Sequence, residues 1–138
     1  MKNGQIKGVL ISQVRGEDGD EVKSDLKLAN VMVGMRVGQW LRANFPQIHW
    51  FIPHDYELAI DWFWCKGILT SDQILDMTCS FAKNSQIAIV YNGISEGMRR
   101  EIQACGAKGV PIVKVSECNN EAKKKIVRKM RLAGLVCH

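Results

Sequence analysis

An α/β fold, a single domain with a mainly parallel sheet flanked by helices, follows from three features of the sequence. Short apolar runs of strand length alternate with segments of helical periodicity along the chain. The segments between the apolar runs are long enough for crossover helices, which join parallel strands with a right-handed turn. At 138 residues the chain has the size of one ordinary domain, with no internal repeat and no low-complexity linker.

Each element has its own local reason. KGVLISQV (7–14) is an apolar run bounded by glycine and charge, as a buried strand is, and it ends in the polar loop RGEDGDE. Behind a Ser24 or Asp25 cap, Ala29, Val33, Val37, Trp40 and Leu41 recur at helical spacing until Pro46 stops the helix. IHWFIP (48–53) reads as a second strand that ends in a loop at Pro53, His54 and Asp55. Two helices follow, DYELAIDWFWCKGIL and TSDQILDMTCSFAKN, the second opening on a Thr70–Gln73 capping box. QIAIVYN (86–92) is a third strand, SEGMRREIQACGAK a helix and GVPIVKV (109–115) a fourth strand. A basic helix at about 119–133 ends near Gly134.

Composition narrows the function class. Hydrophobic residues at 46% and charged residues at 24% are ordinary for globular proteins, and no apolar run is long enough to span a bilayer. With no secretory signal, a cytoplasmic protein is the expectation. The five cysteines form no CxxC pair and have no histidine at ligand spacing, so free thiols are expected, with no metal and no cofactor. The net charge of +5 is local. Glu121–Leu132 carries six basic residues and one acidic one; of 19 basic and 14 acidic residues overall, 13 of each then lie outside it. A solvated helix face explains such a run, and so does nucleic-acid or anionic-ligand contact.

In a parallel sheet, ligands bind beyond the carboxyl ends of the strands where strand order reverses. The loops concerned are Ser12–Gly16, Pro53–Asp55 and Asn92–Gly97, with His54 a candidate ligand contact. The richest stretch is SEGMRRE, at the third strand's turn into a helix. With Ser95 as cap, the first-turn N–H groups of Glu96, Gly97 and Met98 form an anion-friendly helix end. Glu101 lies four residues after Gly97 on the same side, so the missing side chain at Gly97 leaves room above the carboxylate. Met98, Ile102 and Cys105 form the core-facing stripe. Glu101 borders it, partly desolvated or paired with Arg99 or Arg100.

Ser95, Gly97 and Glu101, after the strand IAIVYN and before AKGVPIV, resemble the signature stretch of the nucleoside 2-deoxyribosyltransferase superfamily. The order of weaker matches extends this over most of the chain: the ISQVRG turn, Asn30 and Arg36 in the first helix, and Pro53–His54 as in phage-type relatives. The resemblance implies a Rossmann/flavodoxin-like fold and cleavage of an N-glycosidic bond, with Glu101 attacking the anomeric carbon. It implies an aspartate as proton donor, Asp76 first and Asp72 as the alternative. Serine at position 95 is similar to the nucleoside 5′-monophosphate N-hydrolases, and with Ser12, Arg15 and Gly16 in the first loop it favours a nucleotide over a free nucleoside. A homo-oligomer is also implied, with Trp62, Phe63 and Trp64 at the contact. Trp62 and Trp64, two residues apart, cannot share one helix face, so each is open to core, lid, interface or base stacking. A nucleotide-binding protein without turnover, and nucleic-acid binding through the basic helix, are the rival expectations.

Overall fold

A computed structural model describes residues 6–13 and 24–135. Four strands, β1 (Ile6–Ile11), β2 (Ile48–Phe51), β3 (Ile87–Tyr91) and β4 (Ile112–Val115), form one sheet in the order β2-β1-β3-β4, every pair parallel. The expected α/β architecture is therefore present. The helices are α1 (Ser24–Asn44), α2 (Glu57–Cys65), α3 (Ser71–Lys83), α4 (Glu96–Ala107) and α5 (Asn120–Leu132).

Parallel strands need both faces covered, and two apolar layers cover them. Val37 and Leu41 of α1 and Ala122, Ile126 and Met130 of α5 pack on Leu10, Trp50, Ile89 and Val113 on one face. On the other, Ala82 of α3 and Met98 and Cys105 of α4 pack on Val9, Ile11, Ala88 and Val90. Strand order reverses between β1 and β3, so the carboxyl ends of these two strands, with the start of α4, form the crevice where such folds bind ligands.

Several boundaries differ from the sequence expectation for local reasons. The second strand stops at Phe51, because Pro53 has no N–H to continue the ladder and instead starts a 3-10 turn, Pro53–Tyr56. The fourth begins at Ile112 rather than Gly109. Gly109 adopts a φ of 72° and Val110 N–H donates to the Cys105 carbonyl at 2.9 Å, so both residues close α4. In α1, Ala29 is exposed, whereas Val33, Val37, Trp40 and Leu41 pack on the core as expected, with Gly34 and Gly38 toward His54 and Ile52. The capping box at Thr70 forms: Gln73 N–H donates to the Thr70 hydroxyl at 3.1 Å and Thr70 N–H to the Gln73 side chain at 2.9 Å. Cys65, Cys79, Cys105 and Cys118 are free thiols.

Candidate functional site

The crevice is built by two loop starts lying side by side. Because Ile11 pairs with Val90, the residues that follow, Ser12 and Gln13 on one side and Asn92 and Gly93 on the other, emerge together. Asn92 takes a φ of 64°, a conformation asparagine tolerates better than most residues, and its N–H donates to the Val115 carbonyl at 2.8 Å. Gly93 admits the Gln13 side chain: a Cβ there would lie 3.2 Å from Gln13 Nε2. The chain then enters α4 through Ser95, which is buried and whose hydroxyl accepts the Met98 N–H at 3.3 Å. The expected cap is thus in place, and it leaves the hydroxyl hydrogen free to point at a ligand.

One turn further on, Glu101 is not at the border of the apolar face but inside, 9% exposed. Arg100 pairs elsewhere, reaching Asp72 at 3.6 Å and Asp76 at 3.7 Å, and the Thr78 hydroxyl of α3 is hydrogen-bonded to Glu101. Burial raises its pKa from the ordinary 4.5 to about 7, and the Thr78 hydrogen bond only partly opposes this. Burial raises the Cys79 and Cys105 thiols, and both lie near enough to Glu101 for its charge to add to the rise. The niche above Gly97 is occupied at its edge, where a Cβ would meet Leu75 Cδ1 at 3.7 Å. The carboxyl therefore looks toward α3.

Thr78 has one hydroxyl hydrogen and two acceptors, since its oxygen also lies 3.1 Å from the Leu75 carbonyl. When Glu101 is protonated it donates to Thr78, which donates to Leu75; when Glu101 ionises, the hydroxyl turns to the carboxylate. Thr78→Val removes a donor that favours the ionised form. The Glu101 pKa is then expected to rise by about one pH unit, the loss of ~1.4 kcal/mol of charge-assisted hydrogen bonding. Carboxyl ¹³C titration by NMR reads it directly, and an unchanged midpoint would show that Thr78 does not stabilise the carboxylate.

The other expected site residues fall in different places. Ser12 stands at the carboxyl end of β1, whereas Arg15 and Gly16 lie outside the described residues. Asp72 and Asp76 are on the outer surface of α3, with side chains 87% and 75% exposed, and among the described residues no hydrogen bond joins either to Glu101. His54 is on the opposite face of the sheet from Glu101, against α1, and is 2% exposed. Its Nε2 lies 3.1 Å from the Gln13 carbonyl, so that nitrogen carries the hydrogen and donates it. Nδ1 is then a bare acceptor, with no hydrogen-bond partner among the described residues. Burial pushes the His54 pKa down, against smaller upward effects of the Gln13 bond and Asp55. Its place in the crevice is thus indirect, holding the backbone of the first loop.

The aromatic segment is not core. Trp62 is 54% exposed and lines, with Tyr56, Leu58 and Phe63, a shallow depression on the outside of α2. Trp64 is half-buried and donates from Nε1 to the Ser71 hydroxyl at 3.2 Å. Gln13 and Thr78 are the site residues that sequence reading missed. The Asn-Gly pair at 92–93 marks a turn in the sequence, but nothing local distinguishes Thr78 from any helical threonine.

No protein-family model, no curated protein and no solved structure matches the chain.

Proposed function

We propose that the chain cleaves or transfers the N-glycosidic bond of a (deoxy)nucleoside 5′-monophosphate. What supports this reading is the buried carboxyl of Glu101, one turn into the helix that starts at the strand-order reversal, with a pKa of about 7. Such a group is about half ionised at neutral pH, and the ionised form is a nucleophile in a poorly solvating setting. In the proposed step a Glu101 oxygen bonds to the anomeric carbon as the C–N bond breaks. The bonding pair leaves on the base, which takes a proton from an acid on α3, Asp76 or Asp72. Water or a second base then attacks the glycosyl ester and frees the carboxylate. The 5′-phosphate receives hydrogen bonds from the Ser95 hydroxyl, the first-turn amide at Gly97, and Ser12 and Arg15 of the first loop, while the Met98 N–H stays on the Ser95 cap.

Incubating the purified chain with a panel of ribo- and deoxyribonucleoside monophosphates is expected to release free base, resolved by chromatography. Glu101→Ala is expected to abolish it, a loss of at least about 10³-fold for removal of a covalent nucleophile. A folded protein that yields no base from the whole panel would sink the reading. Association of copies through the exposed apolar side of α2 belongs to the same reading, and light scattering on that preparation reports it.

The contact of Leu75 over Gly97, together with the Thr78 bond to Glu101, favours a second reading in which the crevice holds a nucleotide without turnover. Its signature is thermal stabilisation by a nucleotide, ~2.7 kcal/mol at a hundred times the dissociation constant, with no base released.

A further inference from the structure

We propose that the outer face of α5 binds the phosphodiester backbone of nucleic acid without regard to base sequence. This surface is separate from the crevice and from the chemistry proposed for it. The helix forms behind Asn119, whose side chain accepts the Ala122 N–H at 2.9 Å, and it buries Ala122, Ile126 and Met130 against the sheet. That face fixes the rotation of the helix. Lys124, Arg128 and Arg131, at spacings of four and three residues, then form a row on the opposite side, and all three are exposed. Lys123 and Lys125 flank the row, and Lys125 bonds the Lys114 carbonyl.

Two observations turn this row into a polyanion surface rather than a solvated face. Among the described residues, Lys123, Lys124, Arg128, Lys129 and Arg131 make no ion pair, although the rest of the chain has acidic and basic residues in equal number. With six basic residues against the single acidic Glu121, the helix keeps a net positive field where it meets solvent. The row also has the right pitch: from Lys124 to Arg131 is about 10.5 Å along a helix, the axial length of roughly three phosphates on one strand of a duplex.

The nature of the partner follows from what the helix lacks. A membrane-surface helix needs an apolar face to insert, and here that face is already buried in the core. A cleft of ≈ 290 Å³ at the amino end of α5 shares Lys124, Lys125 and Arg128, but Glu117 and Glu121 also line it, so a phosphate strand is better accommodated along the row than inside the cleft.

The test is fluorescence anisotropy with a labelled 25-base-pair duplex of arbitrary sequence, at potassium chloride from 25 to 200 mM. The parent chain is expected to bind with a log–log salt slope near −3, from about three neutralised phosphates. Lys124→Gln, Arg128→Gln and Arg131→Gln together are expected to weaken binding tenfold or more at low salt and to flatten the slope. Three neutral substitutions elsewhere, Lys66→Gln, Lys83→Gln and Lys108→Gln, change the net charge equally and are expected to leave most of the affinity. If the triple α5 variant melts early, each single substitution reduces the slope by about one. Equal losses in both triple variants, a slope near zero, or binding to vesicles of 30% phosphatidylserine in preference to the duplex would each overturn the proposal. Release of base from nucleotides is independent of the result.

Discussion

Glu101→Gln is expected to be more stable than the parent chain at pH 8, by on the order of 3 kcal/mol. The parent must bury an ionised carboxylate above its folded pKa of about 7, whereas the unfolded chain ionises the same group at its ordinary 4.5. The folded state therefore binds the proton more tightly. Its stability is greatest below pH 4.5, declines as pH rises from 4.5 to 7, and is level above that as far as this residue is concerned. Glutamine fills the same volume, keeps a hydrogen-bonding partner for Thr78 and carries no charge at any pH, so the stability difference should vanish toward pH 4.5 and reach its full value near pH 8. Urea unfolding of both proteins at several pH values checks it. Parallel profiles would mean that the folded environment does not perturb Glu101. If the proposed function holds, the variant that gains stability is also the one that loses base release, as expected where a destabilised group serves chemistry.

The second large effect is expected at Gly34, where a Cβ would lie 2.2 Å from Cδ2 and 2.3 Å from Cγ of His54. The imidazole rests on the bare backbone of α1, is almost wholly buried and is tied to the Gln13 carbonyl, so it has nowhere to retreat. Gly34→Ala is expected to cost about 1–3 kcal/mol, as overpacking of a filled core does. That lowers the melting temperature by roughly 3–10 °C for a chain of this size. A double-mutant cycle with His54→Ala isolates the cause: the alanine at 34 should cost little once the ring is gone. An equal cost in both backgrounds would place the strain elsewhere in α1. The ring also sets an acid limit, because a buried neutral histidine with a lowered pKa loses stability as pH falls below the ordinary 6.5.

How much of this was legible in the sequence depends on the range of the interaction. Thr70 and Gln73 are three residues apart and announce their cap by themselves, and the same holds for Ser95 and for the turn at Asn92–Gly93. Boundaries failed where a residue's partner was already engaged in a neighbouring element, as at Val110, whose N–H is used by α4 and not by β4. The burial of Glu101 was read only halfway. Its place next to Met98 and Cys105 on the helix wheel puts it near the apolar stripe, but only the approach of α3, bringing Thr78 and Leu75, removes it from water.

By itself the sequence determined the alternation of strands and helices, the caps that start α3 and α4, and the confinement of the net charge to α5. These rest on periodicity and on contacts within a few residues, which the chain encodes locally. Only the tertiary structure decided the strand order, the pairing of Arg100 with Asp72 and Asp76 instead of Glu101, the seat of His54 on Gly34, and the rotation of α5 that aligns Lys124, Arg128 and Arg131. Each joins residues far apart in the chain or depends on which helix face meets the sheet. Such contacts follow from burying apolar surface in three dimensions, and no short window of sequence contains both partners.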